Sequence, residues 1–129
     1  MNENEQNLPT IDLDHIESLD ELKSEGQSDL VVELIHYFNK VASTKMKSIK
    51  EAISKKDFET AMKDAHNFKS TCHNVGAKKL ASMCQEIETE ARECMKSHKS
   101  TNFDALKSIE LEYNEAATVL ADILKARSL

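Results

Sequence analysis

A chain of 129 residues with a formal net charge of −6, two glycines, one proline and no tryptophan has the size of one domain and little material for tight turns. The charge is uneven: residues 1–33 carry ten acids and one base, a net of −9, whereas residues 34–129 carry thirteen acids and sixteen bases, a net of +3. A mildly basic remainder without a basic stripe or interleaved aromatics excludes a nucleic-acid binder, and with no long apolar run or charged-then-apolar leader the expected setting is cytoplasmic, with no membrane contact.

In chain order, residues 1–10 (MNENEQNLPT) are polar and hold the only proline, so they are expected to form a flexible acidic tail. Residues 11–129 are expected to form a single helical domain. A short helix is predicted over about 13–24, capped by Asp12 or Thr10, with Ile16, Leu19 and Leu22 on one side. Gly26, flanked by Ser24 and Ser28, ends it. Four longer helices follow. Over about 29–54, Val31, Leu34, Ile35, Phe38, Ala42, Met46, Ile49 and Ile53 recur at three and four. Over about 58–75, opened by Asp57 as N-cap, the apolar set is Phe58, Ala61, Met62, Ala65, Phe68, Cys72 and Val75. Over about 77–97 it is Ala77, Leu80, Cys84, Ile87, Ala91 and Cys94. Over about 102–126 it is Phe103, Leu106, Ile109, Tyr113, Ala117, Leu120 and Leu124, with Thr101 as cap and Asp104 three residues on. Each stripe covers one face and must be buried against another helix. Short connections make neighbours antiparallel, so the predicted fold is all-α: an up-down four-helix bundle with a short additional N-terminal helix.

The third helical pattern carries a row of polar groups beside its apolar stripe. At 100° per residue, His66 lies roughly 115° from the stripe centre, Lys69 roughly 55° from it, and Ser70 and His73 continue the row. On the next helix Glu88 falls roughly 65° off its own stripe, placed to lean across the groove towards an imidazole. Residues 63–79 hold Lys63, Lys69, Lys78 and Lys79 against Asp64 alone. An accessible imidazole, a nearby ammonium and a positive surface suit a group that carries an anion. The spacing alone also fits a solvated surface histidine.

These residues resemble the histidine phosphotransfer (HPt) domains of two-component phosphorelays: Ala65-His66, then Lys69, the small run Ser70-Thr71-Cys72, Gly76-Ala77 ten residues after the histidine, Leu80, and CQEIE at 84–88. The likeness extends more loosely over about 12–125. It implies that His66 is the phosphoryl acceptor, that Lys69 balances charge on the phosphoryl oxygens and that Glu88 orients the imidazole through its other nitrogen. Gly76 allows the tight turn between helices, and Ser70, Thr71, His73 and Gly76 belong to the docking surface. It further implies a phosphorelay intermediate rather than an enzyme with a nucleotide site. Such a protein takes a phosphoryl group from a receiver aspartate and relays it to another receiver. The implied partners are response-regulator receivers and a hybrid sensor histidine kinase, the domain acting as a monomer. No cofactor or metal of its own is expected; Mg²⁺ would belong to the receiver. Ser70 departs from the glycine usual at that position. It keeps open the alternative of an HPt-like docking module that inhibits a kinase or receiver without carrying phosphate.

Other residues read more simply. Cys72, Cys84 and Cys94 match no zinc or disulfide spacing and are expected as reduced core residues. His15, His36 and His98 lack partners in the pattern and are expected at the surface or at an interface. A di-iron bundle enzyme needs two Glu-x-x-His motifs, and only Glu33 to His36 is present.

Overall fold

A computed structural model of the chain describes residues 7–22, 29–97 and 101–127, and among them are five α-helices and no strand. These are α1 (Leu13–Glu21), α2 (Leu30–Ser54), α3 (Phe58–Asn74), α4 (Lys78–Ser97) and α5 (Asp104–Arg127). The proposed break at Gly26, and His98, lie outside the described residues. No described helix is long and apolar enough to cross a membrane.

Local chemistry starts and stops these helices. Asp12, rather than Thr10, caps α1, its carboxylate accepting from the Asp14 and His15 amides at 3.1 and 3.4 Å. Asp29 does the same for α2 at Val31 and Val32, and Asp57 for α3 at Thr60. Helix α2 ends with Lys56 at φ 60°, the Asp57 amide reaching back to the Ala52 carbonyl. Helix α3 ends in the same way at Gly76, φ 76°, with the Ala77 amide on Cys72 and the Gly76 amide on His73. These are Schellman closures, which satisfy the last carbonyls and reverse the chain. The Thr101 cap does not form. Its hydroxyl is buried without a hydrogen-bond partner, Phe103 takes φ 47°, and α5 begins only at Asp104.

Helix α2 packs on α3, α3 on α4, α4 on α5, and α2 meets α5, so the four long helices close a ring with α1 laid against α2. Phe38 and Phe68 are fully buried and stacked at 6.1 Å, and Tyr113 closes on Phe38 at 5.7 Å. The buried face of α5 is turned by about one residue from the predicted stripe. Ala105, Ile109, Glu112, Ala116 and Leu120 are buried, while Leu106, Tyr113 and Ala117 are half-buried. The inward positions go in part to the small Ala105 and Ala116, a matter of side-chain volume that a hydropathy pattern does not weigh. Cys72, Cys84 and Cys94 are buried free thiols. Burial and the neighbouring Cys84 push the Cys72 thiol far above its ordinary range, which makes it inert.

The N-terminal segment is tied down earlier than the predicted tail allows. The Pro9 carbonyl accepts from Lys79, the Asp12 amide donates to the Gly76 carbonyl, and Asp12 pairs with Lys78 at 3.1 Å. His15 is likewise not partnerless, since its Nε2 lies 2.9 Å from the Asn74 carbonyl. A Cβ on Gly76 would stand 3.0 Å from the Asp12 carbonyl oxygen and 3.3 Å from the His15 ring. Glycine therefore serves both the left-handed turn and the close approach of α1.

Candidate functional site

The site grows from the α3–α4 pair, the most extensive helix contact among the described residues. Ala61, Ala65 and Cys72 on α3 and Ala81, Cys84 and Ala91 on α4 are all buried. Small side chains bring the two backbones close, and Phe68, fully buried, fixes the rotation of α3. His66, between Ala65 and Phe68, is thereby turned to the flank, its side chain 59% exposed.

Glu88 meets it from α4. This carboxylate is buried, yet every side of it has a donor. His66 Nδ1 lies 3.2 Å from Oε1, Lys69 Nζ donates to the same oxygen at 2.9 Å, and Arg92 Nη2 donates to Oε2 at 2.8 Å. Burial alone would push the Glu88 carboxyl up, but the hydrogen bonds from Lys69, Arg92 and His66 outweigh it and hold the group below its ordinary range. An ionised carboxylate accepts only, so Nδ1 must carry the ring proton. The lone pair then sits on Nε2, on the other side of the ring.

Lys69 is the more enclosed of the two α3 groups. Its amino group bonds Gln85 at 2.6 Å as well as Glu88, and its side chain is 17% exposed. Gln85 in turn donates to Thr89. Beyond the ring lies an open groove lined by Met62, Lys63, Asn67 and Arg92. The structure thus brings together His66, Lys69 and Glu88. Arg92 and Gln85 went unread in the sequence, although Arg92 stands at i+4 from Glu88, the spacing of a helical ion pair.

The four docking residues separate. Ser70 and His73 are exposed, whereas Thr71 and Gly76 are buried. Thr71 lies behind the polar row with its hydroxyl on the Asn67 carbonyl, and Gly76 lies under α1. The Ser70 hydroxyl donates to the His66 carbonyl at 3.5 Å, directing it back along its own helix. Partial desolvation of the ring, with Lys69, Lys78 and His15 nearby, lowers the His73 pKa below its ordinary value. Among the described residues no cluster of three His, Cys, Asp or Glu side chains is placed to hold a metal ion, and Glu33 and His36 are both exposed on α2.

The family model of the Hpt domain matches residues 13–122. The chain belongs to the Hpt domain family. As a Hpt domain it has a histidine phosphotransfer role in phosphorelays, with two-component receivers and kinases as its class of partner. The crystal structure of histidine-containing phosphotransfer protein B (HptB) from Pseudomonas aeruginosa PAO1 superposes with a TM-score of 0.76 at 23% identity. That match covers 92% of this chain and 96% of the other, and at this identity it speaks for the fold. No curated protein sequence matches this Hpt domain significantly.

Proposed function

We propose that His66 is the phosphoryl carrier, taking the group from a receiver aspartate and yielding it to an aspartate of another receiver. The observation that carries this reading is an exposed imidazole whose Nδ1 is held by an ionised, buried carboxylate, leaving Nε2 as the nucleophile. Nε2 attacks phosphorus, the N–P bond forms as the P–O bond to the aspartate breaks, and the carboxylate departs with the bonding electrons. No proton has to leave: Nδ1 keeps its own, and the positive charge gained by the ring rests against Glu88. Lys69 supplies the charge that meets the phosphoryl oxygens. Positioning and charge carry most of such a transfer. Mg²⁺ belongs to the receiver in this scheme.

The ring of α2 to α5 serves this role as an antiparallel four-helix bundle with α1 added, one domain from about residue 11 onward. The relay acts in the cytoplasm as a monomer. Exposed Ser70 and His73, with the lysines of α3, face the acidic site of the receiver.

The test is transfer from a ³²P-labelled receiver to the parent and to His66→Gln, followed by a chase with a second, unlabelled receiver. The expected result is an acid-labile, base-stable label in the parent, none in the variant, and passage of the label to the second receiver. Melting of His66→Gln stays within about 0.5 kcal/mol of the parent, because the ring is exposed. Tight receiver binding without label in either protein would instead identify a docking inhibitor.

A further inference from the structure

Lys69 has two duties that conflict. In the resting structure its amino group is spent on Glu88 and Gln85, yet the proposed transfer needs it at the phosphoryl oxygens. Moving it strips a cation from a carboxylate that is only 5% exposed. A buried carboxylate without a cation takes up a proton, since burial favours its neutral form. A protonated Glu88 would donate to Nδ1, force the ring proton onto Nε2 and remove the nucleophile.

Arg92 resolves the conflict by its place. It reaches Glu88 from the carboxylate's own helix, on Oε2, the oxygen that neither His66 nor Lys69 uses. From α3 the carboxylate faces His66 and Lys69, from α4 it faces Arg92, and Lys63 lines the groove outside. The guanidinium does not have to move when Lys69 does. We infer that Arg92 is a positioning residue, the group that holds Glu88 against His66 when Lys69 leaves the carboxylate for the phosphoryl group. This rests on the phosphotransfer reading. The charges agree with it: two cations around one carboxylate leave one positive charge in surplus at rest. A phosphorylated ring, with a dianionic phosphoryl group and a protonated imidazole, cancels that surplus.

Lys69→Gln imitates the departure of Lys69 without any phosphate, so the test is run on unphosphorylated protein by ¹⁵N NMR of the His66 ring between pH 6 and 8. Lys69→Gln alone keeps the Nδ1–H tautomer, because Arg92 still holds the carboxylate. Lys69→Gln with Arg92→Gln moves the ring towards Nε2–H, and Lys69→Gln with Arg92→Lys restores Nδ1–H. Loss of the tautomer in Lys69→Gln alone overturns the inference, as does its survival in the double glutamine variant. The backbone amide spectrum verifies that each variant is folded. A second arm measures the equilibrium share of phosphoryl group on the domain when it is mixed with a phosphorylated receiver. Arg92→Gln lowers the equilibrium constant behind that share about tenfold, a shift of about 1.4 kcal/mol. An unchanged share in Arg92→Gln overturns the inference. If the parent accepts no phosphoryl group, it is the phosphotransfer reading that fails, while the tautomer result still decides how Glu88 is held.

Discussion

Glu88 and Glu112 are both buried glutamates on neighbouring helices, and they behave oppositely. Glu88 has donors on both oxygens and lies below its ordinary pKa; Glu112 lies above it. The nearest cation to Glu112, Lys79, stands 3.6 Å from Oε1, and Oε2 is buried with no hydrogen-bond partner. Burial raises Glu112 first, and Glu115 adds to that; Lys79 and Thr10 only partly oppose it. The difference teaches that depth does not decide a carboxylate's charge; the number of donors aimed at it does. One glutamate is built to stay ionised beside a histidine. The other is a strained fit beneath the N-terminal segment.

The largest effect should come from emptying the well-served site. Glu88→Ala removes the acceptor of three contacts and costs about 2 kcal/mol, with Lys69 and Arg92 turning to water. The folded pKa of Glu88 is depressed, so its contribution is present above the unfolded value of 4.5 and is lost as pH falls below it. Urea melts of parent and variant should therefore converge as pH falls below 4.5. A gap of constant size would show that the donors do not set the charge of Glu88.

Gly76→Ala acts on the other region through its cover. The left-handed turn costs an alanine about 1 kcal/mol, and contact with the Asp12 carbonyl adds to it, for a loss of about 1.5 kcal/mol. Hydrogen exchange should quicken at the Asp12 and Lys79 amides, which bond Gly76 and Pro9 across this contact. Unchanged protection there would separate the N-terminal segment from the turn.

The smallest effect has the opposite sign. Glu112→Gln removes a charge that the fold serves poorly and should stabilise the protein by about 1 kcal/mol at pH 7. The folded pKa is raised, so the parent's penalty grows as pH climbs from 4.5 through the folded value. The gain from glutamine accordingly shrinks as pH falls, and thermal melts at pH 5 and 7 would show it. A destabilised variant would mean that Lys79 serves Glu112 better than their distance implies.

The periodicity of α2 to α4 and the caps at Asp12 and Asp57 were legible in the sequence because they are local, whereas the expected cap at Thr101 did not form. Asp12 and Asp57 each bond amides within three residues, and the stripes of α2, α3 and α4 place Phe38, Phe68 and Ile87 inside, where they are found. The same 3.6-residue count puts His66 on a flank and Glu88 on the side facing it. What stayed hidden needed the neighbours. Arg92 was written at i+4 from Glu88, but only the closing of α3 on α4 shows Glu88 enclosed and so in need of a second cation. Glu112 is buried because α5 turns its small residues inward, and His15 gained its partner only when α1 settled on the end of α3. A sequence determines which residues share a face, since that depends on helix geometry alone. How deep a face is buried, and what lies opposite it, depends on how side-chain volumes fit between helices, and that is settled only when they pack.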